Sequence, residues 1–169
     1  VGEVLAAGSR YGAANIGRAS ALLMAEHGAS LVIGDIDIDG ANETVAQIVA
    51  AGGTALAIKT DVTKEADIAS LVAQAVDFLG GIDVGFFNAG IQRSGRVDGF
   101  PVEEWDALFT VNPRHAFLMA KHTTPHLRAA GGGSLVLTSS IAAVKGGPGM
   151  TGYSASKGAV LSLTFAMAT

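Results

Sequence analysis

Short apolar runs alternate along this chain with stretches whose apolar residues recur every three or four positions. The short runs are Val4-Leu5-Ala6-Ala7, Ser30 to Gly34, Ala55 to Lys59, Ile82 to Phe87 and Ser134 to Thr138, and they read as buried strands. Between them, Arg18 to His27, Ala41 to Ala51 and the segment carrying Ile68, Leu71, Val72, Ala75 and Leu79 show helical spacing. Glycines follow each of these: Gly28, Gly52-Gly53 and Gly80-Gly81. Pro101 opens another helix through Trp105, Leu108 and Phe109, with a disturbance at Pro113 and a continuation to about Arg128. Gly131-Gly132-Gly133 breaks it. After the fifth strand a Gly- and Pro-rich loop leads to a last helix over Tyr153 to Ala168. Strands alternating with helices predict βαβ units and a doubly wound parallel sheet in a three-layer α/β/α arrangement, with five strands and about six helices. No linker, repeat or low-complexity tract interrupts 1–169, which reads as one domain.

Composition narrows the chemistry. Of 169 residues 49% are hydrophobic, enough for a sizeable core, and 15% are charged, below the roughly 25% of an average soluble domain. Cysteine is absent, which excludes disulfides, thiolate catalysis and Cys-ligated metal centres. Eleven basic and fifteen acidic residues give a net charge of −4 with no Lys/Arg run, so no nucleic-acid partner is expected. No apolar stretch reaches membrane-spanning length, so no membrane partner is expected. Both ends read as cut: no Met opens the chain, and the last helical pattern stops without a cap.

In an open α/β sheet, ligands sit beyond the carboxyl ends of the strands, where the strand order switches. The polar residues that stand out all fall there. Gly8 to Gly17 is a glycine-bearing loop between the first strand and helix, where backbone can approach a pyrophosphate at a helix N-terminus; an ordinary βα turn is the plainer reading. Asp35 ends the second strand, eighteen residues past Gly17, where a carboxylate accepts from adenosine ribose hydroxyls and repels a 2′-phosphate. Asp61 either bonds an adenine amino group or caps the next helix. Tyr153 and Lys157 are four apart, hence on one helix face, and an ammonium beside a phenol makes a tunable proton donor or acceptor. Ser140, thirteen residues before Tyr153, can bond a substrate carbonyl; Ser139 beside it reads as structural. Asn112 is a polar residue in an apolar helix, either bonding the kink at Pro113 or holding a relay water. His27, His115, His122 and His126 show no metal-ligand pattern, and no metal is expected.

Together these residues resemble the short-chain dehydrogenase/reductase family, over essentially the whole chain: the glycine loop, Asp35, Asp61-Val62, Asn88-Ala89-Gly90, Asn112, Ser140, Tyr153 and Lys157, in family order and at family spacing. The resemblance implies a Rossmann-like fold and NAD(P)-dependent interconversion of a secondary alcohol and a ketone, with NAD as the cofactor and NADP as the alternative. It implies Tyr153 as general acid/base, Lys157 as the group that tunes it and holds the nicotinamide ribose, Ser140 as carbonyl-positioning hydroxyl and Asn112 as anchor of a relay water. On the cofactor side it implies Gly8, Gly12, Asn15 and Gly17 in the pyrophosphate loop, Ile16 close by, Asp35 with Ile36 and Asp61 with Val62 along the adenosine, and Asn88, Ala89 and Gly90 beside the ribose.

The chain departs from the family pattern in three places. Ala7 replaces the loop's Thr, and Gly8 to Gly17 is three residues longer than usual, with Asn15 or Gly12 standing for the middle glycine according to which end is aligned. Arg10 in this enlarged loop can reach a 2′-phosphate. Phe87 replaces the first Asn of the usual Asn-Asn-Ala-Gly. The family continues past residue 169 with further strands and a substrate-covering loop, so the chain reads as a fragment. Family members pair through the helices equivalent to Pro101–Arg128 and Tyr153–Ala168, which implies a homodimer or homotetramer, and a cytoplasmic location is expected. The alternative is a non-catalytic nucleotide-binding or interaction fragment of the same kind of protein.

Overall fold

A computed structural model describes residues 2–7 and 16–168. Strands β1 (Glu3–Ala7), β2 (Ser30–Asp35), β3 (Ala55–Lys59), β4 (Val84–Phe87) and β5 (Ser134–Leu137) form one parallel sheet in the order β3-β2-β1-β4-β5. The chain winds outward from β1 to β3, then crosses back to place β4 on the other side of β1. The order therefore switches between β1 and β4, and this fixes where a crevice opens at the carboxyl ends.

The α-helices are α1 (Ile16–Glu26), α2 (Ile38–Ala50), α3 (Glu65–Leu79), α4 (Val102–Phe109), α5 (His115–Ala129), α6 (Ala142–Lys145) and α7 (Thr151–Met167). Alternation along the strands sorts the core into two halves. Leu5, Val32 and Phe87 face one way and pack with Ile68, Leu71 and Val72 of α3 and Leu118, Met119 and Leu127 of α5. Val4, Ala6, Leu31, Ile33 and Phe86 face the other way and meet Ala21 of α1 with Ala41 and Ile48 of α2. The runs are apolar without interruption because both faces are covered. Burying Leu71 or Ile68 contributes roughly 1.5–3 kcal/mol each by the area of a full aliphatic side chain.

Element boundaries shift for local reasons. Helix α2 starts at Ile38, three residues before the apolar pattern, because the Asp37 carboxylate accepts from the Gly40 N–H and caps it. Helix α3 ends where expected, at Gly80, whose φ of +82° suits glycine. The disturbance at Pro113 is a π turn, Thr110–Arg114, joining α4 to α5. Proline has no N–H to continue the ladder, and the helix widens around it. Helix α6 lies within the Gly- and Pro-rich loop, where its four residues gave no periodic signal; the Ser140 hydroxyl accepts from the Ala142 N–H at its start.

Candidate active site

Three segments meet beyond the carboxyl ends of β4 and β5: the exit of β4 at Asn88–Gly90, the π turn, and the first turns of α7. Asn112, 1% exposed, locks them together. Its Oδ1 accepts from Ile91 N at 2.9 Å, and its Nδ2 donates to Ile91 O at 3.0 Å and to Ser156 Oγ at 2.9 Å. The Ser156 hydroxyl in turn donates to Tyr153 O at 2.8 Å. Both hydrogens of the Asn112 amide are thus spent on protein atoms, while Oδ1 keeps a second lone pair. The π turn aims this side chain inward, so the kink and the polar cluster are one feature.

Lys157 is pinned at both ends. Its backbone oxygen accepts from Ser139 Oγ at 2.8 Å, and its Nζ donates to Thr138 O at 2.7 Å. Ser139 therefore has the structural role read for it, and the β5 exit holds the lysine on α7. The Lys157 side chain is buried, 5% exposed, and loss of hydration pushes its ammonium below the ordinary lysine range. Its Nζ lies 6.0 Å from the Tyr153 ring centroid. Gly90 completes the junction: a Cβ there would sit 3.2 Å from Asn112 Oδ1 and 3.3 Å from Lys157 Nζ.

Ser140 lies at the β5 exit with its oxygen accepting from Ala142 N at 3.1 Å, which leaves the hydroxyl hydrogen to be donated. Asn88 is buried, and its Oδ1 accepts from the Thr138 hydroxyl at 3.1 Å, while Ala89 packs beside it. Asp35 ends β2, with Oδ1 accepting from Asp37 N at 2.9 Å, and Ile36 is exposed next to it. Asp61 follows β3 and bonds both the backbone N–H and the hydroxyl of Thr63 through Oδ1, at 3.0 and 2.7 Å; the Thr63 hydroxyl is the main reason its carboxyl titrates below the usual range. That carboxylate organises the turn before α3, while Val62 packs on the core. Ile16 is exposed at the start of α1 and Gly17 is buried. Gly8, Arg10, Gly12 and Asn15 lie outside the described residues.

Sequence reading missed three participants. Ser156 looks like its neighbour Ser154 until the fold points it at Asn112. The carbonyl of Thr138 carries no sequence signal. Arg114, in the π turn, donates from Nη1 to Thr63 O at 2.8 Å and ties the Asn112 segment to the turn holding Asp61.

A five-stranded parallel sheet in this order, with helices on both faces, is a doubly wound α/β fold, and comparison with known proteins agrees. The family model for short chain dehydrogenases matches residues 10–169. An uncharacterized oxidoreductase, YxbG, of Bacillus subtilis (strain 168) is 39% identical over 157 residues, covering 92% of this chain and 57% of that protein. Cyclohexanol dehydrogenase of Acinetobacter sp. (strain SE19) is 37% identical over 154 residues, covering 90% and 61%. The crystal structure of NAD+-bound xylitol dehydrogenase superposes with a TM-score of 0.92 at 32% identity, covering 98% of this chain and 63% of that one. The chain belongs to the short-chain dehydrogenase family. It spans about three fifths of the length of these relatives. Among the described residues no helix is long and apolar enough to cross a membrane.

Proposed function

We propose that this protein interconverts a secondary alcohol and a ketone, using a nicotinamide dinucleotide as redox partner. The observation that carries the reading is the buried Lys157 ammonium, held by Thr138 O and placed on the same helix face as Tyr153. The Tyr153 hydroxyl exchanges a proton with the substrate oxygen, and the nearby positive charge favours the anion left when the proton departs. The Ser140 hydroxyl, oriented by the bond its oxygen accepts from Ala142 N–H, donates to the same substrate oxygen and orients it. Asn112 holds the β4 exit, the π turn and α7 in register, and its remaining Oδ1 lone pair is the anchor for a relay water.

The residues fit the dinucleotide. Gly90 leaves the room that a Cβ would fill between Asn112 and Lys157, Lys157 has hydrogens beyond the one given to Thr138, and Asp35 stands at the β2 exit with a carboxylate for ribose hydroxyls. Gly17, Ile16, Ile36, Asp61, Val62, Asn88 and Ala89 complete the proposed lining, with Gly8, Arg10, Gly12 and Asn15 in the pyrophosphate loop. When bound, the nicotinamide supplies or accepts the hydride; the protein binds, orients and handles the proton. Asp35 favours NAD, because a carboxylate repels a 2′-phosphate. An alicyclic alcohol is the substrate class best supported. Exposed Ile141 and Val144 next to Ser140 offer apolar contact, and two relatives carry the names cyclohexanol dehydrogenase and cis-4-hydroxycyclohexanecarboxylate dehydrogenase. Exposed Trp105 and Phe117 on α4 and α5 support self-association.

The test is a fluorescence titration with NADH and NADPH, followed by alcohol oxidation with wild type and Tyr153→Phe. Tighter NADH binding and loss of turnover in the variant are expected. No binding of either nucleotide would favour a non-catalytic role, and equal turnover would remove Tyr153 from the chemistry.

A further inference from the structure

Tyr153 stands in the first turn of α7, and the backbone that carries it is held from two sides. Downstream, Tyr153 O accepts from Ser156 Oγ at 2.8 Å, and Lys157 is fixed through Ser139 and Thr138. Upstream, the contact comes from the segment that follows β4. Gly95 N donates to Gly149 O at 2.7 Å, and Gly95 pairs with Met150 in a single parallel bridge. Met150 O accepts from Ser154 N at 2.8 Å, so the bridge sits on the residue from which the helix starts.

Phe100 closes the same junction, and its ring fills the space where two glycines have no side chain. A Cβ at Gly95 would stand 2.5 Å from Phe100 Cδ2. One at Gly152 would stand 2.7 Å from Phe100 Cε1 and 2.7 Å from Leu108 Cδ1. Apolar atoms touch at about 4 Å, so the ring lies directly against both backbones. Gly152 is buried and immediately precedes Tyr153. Two features fix where the ring starts. Pro101 restricts Phe100 to an extended backbone, with φ −79° and ψ 120°. Arg93 Nε donates to Glu104 Oε2 at 2.6 Å and ties the segment to α4, whose buried Leu108 meets Gly152 as well.

We propose that Phe100 is a positioning residue for Tyr153: wedged between Gly95 and Gly152, its ring fixes the first turn of α7, and with it the phenol relative to the pinned Lys157. Proton transfer is sensitive to such placement, since a misplacement of about 1 Å can cost about a hundredfold in rate. The inference rests on the proposed role of Tyr153 and extends it with a side chain that acts through Gly152.

The experiment compares the full chain as wild type, Phe100→Ala, Phe100→Leu, Gly95→Ala and the double variant Phe100→Ala with Gly95→Ala. The three nearest neighbours of a methyl at Gly95 would all be Phe100 ring atoms, so Gly95→Ala displaces the ring and is accommodated where the ring is gone. The first readout is the nuclear Overhauser contact between the Tyr153 ring and the Lys157 side chain, without nucleotide. The sequence has two tyrosines, so Tyr153→Phe identifies the signals. The second is cyclohexanol oxidation with NAD. Phe100→Ala and Gly95→Ala should weaken the contact and lower kcat about tenfold to a hundredfold, with KM for the alcohol unchanged. Phe100→Leu should give a smaller loss, and the double variant should be no worse than Phe100→Ala. An unchanged contact and kcat in folded Phe100→Ala overturn the proposal, as do fully additive losses in the double variant. If Phe100→Ala or Gly95→Ala does not fold, Phe100→Leu decides on the same readouts. The Overhauser contact needs no turnover, which separates the two readings. Turnover retained in Tyr153→Phe, alongside a contact weakened in Phe100→Ala, would sink the catalytic role of Tyr153 and leave the hold of Phe100 on it standing.

Discussion

The ammonium of Lys157 donates to the carbonyl oxygen of Thr138 at 2.7 Å, bonding α7 to the exit of β5 across a buried gap. Two opposed effects meet in this contact. Desolvating a cation is costly, while a charge-assisted bond to a carbonyl recovers part of that cost. Lys157→Met removes both at nearly constant volume and leaves Thr138 O without its donor. The stability change should stay within about 1–2 kcal/mol, because relief of the buried charge offsets the lost bond. Alcohol turnover should fall by about 10²–10⁴, the usual worth of assisted proton transfer. Urea unfolding and initial rates measured on the same preparation check this. A large stability loss with rate to spare would make Lys157 a strut rather than a functional group.

Asn112 should behave in the opposite way, with stability affected first. Its side chain makes three hydrogen bonds that bind the Ile91 backbone to Ser156. Asn112→Ala leaves those partners without their donors and acceptor inside the protein, at an expected cost of about 2–4 kcal/mol. Asn112→Asp keeps the acceptor for Ile91 N but cannot donate, so it should not rescue the loss. Chemical denaturation of both variants decides; a cost below about 1 kcal/mol would show that the clamp contributes little.

These two residues mark how far the sequence could be read. The strands were legible because each is a short apolar run flanked by glycine or aspartate, and their carboxyl ends collected Asp35, Asn88 and Ser140 as expected. That Tyr153 and Lys157 share one helix face was legible for a related reason: a helix of fixed pitch translates a separation of four into position. Side-chain partnerships were not. Ser156 is indistinguishable from Ser154 until tertiary packing places it against Asn112, 44 positions away. His115 resembled three other histidines, and burial alone separates it from exposed His27. Helix α6 was hidden by the glycines that follow it.

Gly90 gives a sharper test of the junction. A methyl group there meets Asn112 Oδ1 and Lys157 Nζ at 3.2–3.3 Å, so one of them must give way by a few tenths of an ångström. Gly90→Ala should therefore reduce turnover about tenfold or more, as small misplacements of reacting groups do, with a stability loss near 1 kcal/mol. Gly81→Ala is the internal control. Nothing lies within 4 Å of its Cβ position, and it should leave both quantities unchanged or raise stability slightly. Equal effects at the two glycines would mean that crowding at Gly90 does not matter.

Acid should destabilise the protein through His115. Its conjugate acid is pushed from the ordinary histidine value of 6.5 down to about 4 in the fold, chiefly by burial. Between those values the unfolded chain binds a proton that the folded chain does not, so unfolding is favoured as pH falls. The contribution is complete above about pH 6.5 and is lost progressively down to about pH 4. The shift corresponds to roughly 3 kcal/mol, since each unit is worth about 1.4 kcal/mol. Unfolding free energies from urea titrations at pH 7.5, 6, 5 and 4.5 should therefore decline steeply in wild type. In His115→Gln, which has nothing to titrate at that position, the decline should be shallower by most of that amount. Parallel curves for the two proteins would place the acid sensitivity elsewhere, and would mean that His115 is protonated in the fold as readily as in solution.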